Sequence, residues 1–62
     1  MATFNRLHTI ITEAIQDCQE AKNIQHFEAA RNYLLGLLRG LYEANLITYE
    51  QKEAYYQEAL TK

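Results

Sequence analysis

Two apolar seams of equal length, separated by only a few residues, constrain this chain more than any other feature. Phe4, Leu7, Ile11, Ala14, Cys18 and Ala21 follow one another at steps of 3, 4, 3, 4 and 3, and Phe27, Ala30, Leu34, Leu37, Leu41 and Ala44 repeat the same steps. That spacing lines up along one face of an α-helix and along nothing else. Ile10 and Ile15 widen the first seam. Two helices are therefore expected, at about 4–22 and about 25–44. Thr3 is the expected N-cap of the first, and its end is expected near Lys22 and Asn23, because asparagine tolerates the left-handed conformation that closes a helix. A connection as short as Asn23 to Gln25 forces the pair antiparallel, as a helical hairpin. Glu28 with Arg31, and Arg39 with Glu43, stand at spacings that add a few tenths of a kcal/mol each.

A third, shorter helix follows. Asn45 is placed to take the left-handed position after Ala44, with Leu46 closing back toward Leu41 in a Schellman-type end. Thr48 with Gln51 three residues on makes a capping box, which predicts a helix over about 49–60. Tyr49, Tyr56, Ala59 and Leu60 supply its expected apolar face, and Glu50 and Glu53 favour its first turn. The fold class is all-α: a three-helix domain, with completion as a dimeric bundle expected.

A chain of 62 residues without proline and with only two glycines offers no linker, so residues 1–62 read as one domain. Chains this small fold with little surface to spare and draw stability from disulfides, metals, efficient helix packing or self-association. Cys18 is the only cysteine, so no disulfide forms within the chain, and its place on the first seam makes it a small core hydrophobe. Six basic residues against eight acidic ones leave a net charge of −2, and the basic positions Arg6, Lys22, Arg31, Arg39, Lys52 and Lys62 are scattered. No phosphate-tracking stripe results. Met1 to Asn5 lacks the basic start of a secretory signal, and no apolar run approaches the ~20 residues that cross a bilayer. A cytoplasmic protein with a reduced thiol is expected.

Leu34, Leu37, Leu38 and Leu41, followed by Ile47, Thr48, Glu50, Glu53, Ala54, Ala59 and Leu60, give this part of the chain a second meaning. The stretch from Leu34 to Leu60 resembles the short C-terminal bacterial domain family called SHOCT, with its leucine-rich helix, break, Ile-Thr dipeptide, acidic turn and short second helix. Asn45 and Leu46 stand where that family places glycine before its Ile-Ile-Thr, and Gln51 and Lys52 where it favours Glu and an aromatic. The resemblance implies an oligomerisation or interaction module, and it brings no catalytic residues.

Site chemistry is sparse. His8, His26 and Cys18 are the only soft metal ligands, and the hairpin sets them too far apart to converge as a zinc site requires, so no metal and no cofactor are expected. Glu13, Asp17 and Glu20 line one side of the first helix as a solvated face, with an acidic docking strip as the sharper alternative. With no serine, no glycine-rich phosphate loop and no cleft to shift a carboxylate, no enzymatic activity is expected.

Surface chemistry is richer. Gly36 and Gly40 lie one turn apart inside the second helix, where each costs about 1 kcal/mol relative to alanine. A close approach is expected there, either by the third helix through Tyr55 or Tyr56 or by a second chain. The same helix carries Tyr33, Leu35, Leu38 and Tyr42 outside its seam, more apolar surface than one neighbour covers, with Arg39 among them. The expected interface therefore comprises Tyr33, Leu35, Gly36, Leu38, Arg39, Gly40 and Tyr42, with Tyr55 and Tyr56 at its rim. The function expected is a small protein–protein interaction or regulatory module that presents an apolar helical surface, as a homodimer and to an unidentified protein. No membrane and no small-molecule substrate enter this expectation. The alternatives are a dimeric helical bundle binding nucleic acid through Arg31 and Arg39, which the nearby Glu28 and Glu43 oppose, or a purely structural oligomerisation unit.

Overall fold

The computed structural model describes residues 2–61, and their side chains from residue 6 onward. Three helices follow in order: α1 (Ala2–Gln19), α2 (Ile24–Glu43) and α3 (Tyr49–Leu60). Each packs against both others, so the expected hairpin is closed by its third member into a three-helix bundle. Thr3, expected as a cap, falls inside α1, and its side chain, like that of Phe4, lies outside the described residues.

The first turn differs from its expectation. α1 stops at Gln19, three residues short of Lys22, and Asn23 serves the following helix rather than the preceding one. With φ of −153° it is extended, and its side-chain oxygen accepts the His26 amide at 2.8 Å. An asparagine just before a helix satisfies orphan amides, and here that use displaces the left-handed one.

The second break follows its expectation atom by atom. Asn45 has φ of 63°, the only positive value at a non-glycine residue among those described. The Leu46 amide donates to the Leu41 carbonyl at 2.9 Å and the Asn45 amide to the Tyr42 carbonyl at 3.0 Å, the two bonds of a Schellman closure. Thr48 then opens α3: its hydroxyl accepts the Gln51 amide at 3.0 Å, and the Gln51 side chain accepts the Thr48 amide at 2.8 Å. Between the two caps Ile47 is buried, a plug that anchors the connection in the core.

Ile11, Ala14, Ile15 and Cys18 of α1 meet Leu34 and Leu38 of α2 and Ala59 of α3 in one core, with Phe27, Ala30, Leu37 and Leu41 at its margin. Two positions depart from the seams. Ala44 caps α2 and is exposed, and Leu38, expected on the outer face, is only 1% exposed. The reason is that α2 has two neighbours: its buried sector is widened by α3, and Leu38 falls under the wider roof. Burial by α3 also reassigns that helix's own face. Tyr49 and Leu60 stay exposed, while Lys52, Tyr55, Tyr56 and Ala59, at helical spacing, turn inward.

The far end of α3 is fastened to α1. Gln19 donates from its side-chain amide to the carbonyls of Glu58 at 3.0 Å, which also accepts the Thr61 amide at 3.3 Å, and of Thr61 at 3.2 Å, just past the helix end.

Candidate interaction surface

Where α2 and α3 diverge they leave an open groove with a volume of about 560 Å³. Leu38 and Tyr56 floor it; Leu35, Arg39 and Tyr42 form its α2 edge, and Tyr49, Lys52 and Glu53 its α3 edge. Leu35 is 42% exposed, Tyr42 39% and Tyr49 56%, so apolar side chains stand in water along both edges. The Tyr42 and Tyr49 rings meet edge to face with centroids 6.0 Å apart. The Lys52 ammonium lies 4.9 Å from the Tyr49 ring and 5.8 Å from that of Tyr42, and pairs with Glu53 at 3.3 Å. These contacts hold both tyrosines and the lysine as one cluster, ordered before any partner arrives. Above it Arg39 and Glu43 pair along the helix at 3.1 Å, both largely in solvent, where such a pair adds only a few tenths of a kcal/mol.

The nine expected interface residues do not stay together. Leu35, Arg39 and Tyr42 lie together on the α2 edge, and Tyr56 lies beneath them. Leu38 is a correction: it belongs to the monomer's own core and reaches the groove only as floor. Tyr33 is 59% exposed but borders another groove, with Ile10, Glu13 and Asp17 between α1 and α2. Tyr55 faces α1, its hydroxyl 3.4 Å from His8 Nδ1.

Gly36 and Gly40 correct a second expectation. Both are exposed on the outside of α2, and a Cβ placed on either meets nothing within 4 Å. Neither Tyr55 nor Tyr56 fills a glycine notch, because α3 docks on the opposite sector of α2. Within one chain, then, no packing contact calls for glycine at either position.

Other candidates are placed as follows. Cys18 is buried, and burial pushes its thiol above its ordinary value, with the Asp17 charge adding to the rise and Arg31 opposing it. A thiol held in this protonated form is a weak nucleophile. Among the described residues no three His, Cys, Asp or Glu side chains converge to hold a metal ion. Arg31 does not pair with Glu28 as its spacing suggested; its guanidinium lies 5.9 Å from the Phe27 ring centroid, with Nε buried. Glu20 accepts a bond from Gln16 at 2.8 Å, while Glu13 and Asp17 stay exposed. Sequence reasoning missed Tyr49 and Lys52 as part of the surface. The signal was present, since Tyr49 begins α3 three residues after the closure from Leu41 to Leu46, but periodicity assigned it to the core.

Fold and surface together define an all-α three-helix domain with an apolar groove along one edge of its middle helix. Set against known family models, curated proteins and solved structures, the chain has no match. No helix of the described residues is long and apolar enough to cross a membrane.

Proposed function

We propose that this chain is a small protein-interaction module of the cytoplasm that acts without catalysis, presenting the α2 edge of its groove, and that the surface is covered by a second copy. The observation that carries it is the grouping of Leu35, Tyr42 and Tyr49, three large apolar side chains between 39% and 56% exposed, around one preordered groove. The groove edges carry Arg39 and Lys52 against Glu43 and Glu53, balanced in sign. A two-fold interface brings a patch against itself, so it needs both signs in that patch, whereas a strongly charged partner needs one. The resemblance of Leu34 to Leu60 to an oligomerisation family points the same way.

Burying what remains exposed of Leu35 and Tyr42 stabilises a pair by on the order of 1–2 kcal/mol per side chain, against a substantial cost of association. The dimer is accordingly weak and concentration-dependent. A nucleic-acid partner is disfavoured, since Arg31 is half buried against Phe27 and Arg39 is held by Glu43.

Solution mass tests this, measured by light scattering and sedimentation from micromolar to millimolar protein, for the wild type and for Leu35→Glu with Tyr42→Glu. Both positions are solvent-exposed, so the variant keeps its core. A wild type that dimerises and a folded variant that stays monomeric support the proposal. A wild type monomeric throughout, or a variant that dimerises equally well, refutes it.

A further inference from the structure

We propose that the corner between the Tyr42 and Tyr49 rings, with the Glu53 carboxylate beside it, is a binding site for a lysine side chain carried by a partner protein, and that Lys52 occupies it as an internal stand-in. The site is complete within one chain and does not rest on the homodimer proposed above.

The two rings meet at 69° with centroids 6.0 Å apart, so their faces make two walls of a corner, and both side chains are partly open to solvent. An aromatic face is the negative part of the ring and attracts a cation placed over it. Glu53 adds a full negative charge at the same place, its side chain 45% exposed. Two ring faces and a carboxylate around one point are the chemistry that holds an ammonium group. The chain shows that one fits there, since the Lys52 ammonium lies over both rings, at 4.9 Å from Tyr49 and 5.8 Å from Tyr42, and 3.3 Å from Glu53.

That occupant is loosely held and leaves most of the groove unused. Its distance to Tyr42 is near the limit of about 6 Å for such contacts, and its carboxylate is a half-exposed neighbour in sequence, where an ion pair adds little. The Lys52 stem is long and flexible, so its ammonium is accommodated in water once displaced. An incoming lysine replaces one positive charge by another, which leaves the charge balance of the corner unchanged. It also brings the adjoining residues of its own segment into the open groove of about 560 Å³, against Leu35, which is 42% exposed. That apolar burial is the gain over Lys52, which acts as a built-in competitor and lowers the apparent affinity by the fraction of time it fills the corner.

A peptide titration followed by nuclear magnetic resonance tests the site, in protein dilute enough to be monomeric. The probes are the acetylated and amidated peptide Gly-Lys-Gly-Leu-Gly and its analogue with norleucine in place of lysine, which keeps the stem and lacks the charge. The lysine peptide is expected to shift the Tyr42 and Tyr49 ring signals and to bind about tenfold more tightly than the analogue. Lys52→Met, which keeps an unbranched apolar stem and removes the competing ammonium, should tighten binding of the lysine peptide about fivefold. Tyr49→Leu, at an exposed position, should reduce it to the level of the analogue, with circular dichroism confirming that both variants are helical. A merely structural Lys52 would give the opposite sign, since its loss would loosen the rings and weaken binding. Equal affinity for the two peptides, no binding by either the wild type or Lys52→Met, or a Lys52→Met variant that binds no more tightly than the wild type overturns the proposal. A wild type that fails to dimerise refutes the homodimer and leaves this site standing.

Discussion

Replacing Gly36 by alanine should make the isolated chain more stable, and the size of the gain follows from the structure. Gly36 lies in the interior of α2, no glycine has a positive φ, and a Cβ there meets nothing within 4 Å. No steric cost opposes the substitution, so the helix-propensity difference of about 1 kcal/mol is delivered in full. In a domain this small, 1 kcal/mol raises the melting temperature by about 4–8 °C. With a urea slope near 1 kcal/mol/M, at the low end for small proteins, the unfolding midpoint should rise by about 1 M. The assay is circular dichroism at 222 nm, in heat and in urea, at protein concentrations low enough to keep the chain monomeric. An unchanged or lowered melting temperature would show that a backbone or side chain does press on this face within one molecule, and would refute the placement of α2's outer surface.

Four further positions probe the rest of the fold. Leu34→Ala, at a position with 0% exposure, should remove about 2–5 kcal/mol, comparable to the whole stability of a chain this size, and leave it largely unfolded by the same assay. Thr48→Ala should lose about 1 kcal/mol in urea titration by opening the capping box of α3; a loss below a few tenths would mean the cap is idle. Asn45→Gly should stabilise and Asn45→Val destabilise, because φ of 63° suits glycine and is strained for a β-branched residue; the reverse order would exclude the left-handed closure. The Cys18 thiol is raised in the folded state, so its contribution to stability is complete below the ordinary thiol value and is lost as pH climbs through that value toward the folded one. Stability should therefore fall in mildly alkaline solution, and Cys18→Ala, though less stable at neutral pH, should lose that part of the slope.

How much of this was legible in the residues depended on the range over which each feature is decided. Asn45, Leu46, Thr48 and Gln51 act within six positions of one another, through hydrogen bonds to nearby backbone groups, and they stand in the structure as their order in the chain implies. Asn23 shows the limit of such local rules. The same residue type serves a helix start as well as a helix end, and which use prevails depends on where α1 is released from the core.

Leu38, Tyr49 and the two glycines mark what the residues alone did not decide. A seam of 3- and 4-residue steps identifies which side of α2 is buried against one neighbour, but the width of the buried sector depends on how many neighbours there are. α3 docks beside α1, takes Leu38 into the core, turns Tyr55 and Lys52 inward and leaves Tyr49 at the groove. Periodicity also could not say that Gly36 and Gly40 face away from every other helix, because a missing side chain leaves no apolar signal to assign to a side. The presence of three helices, the left-handed break at Asn45 and the capping box of α3 were determined by the chain's own local chemistry. The groove, its membership and the bare crest above it were decided by the angle at which the third helix packs, a quantity set by side-chain volumes at long-range contacts.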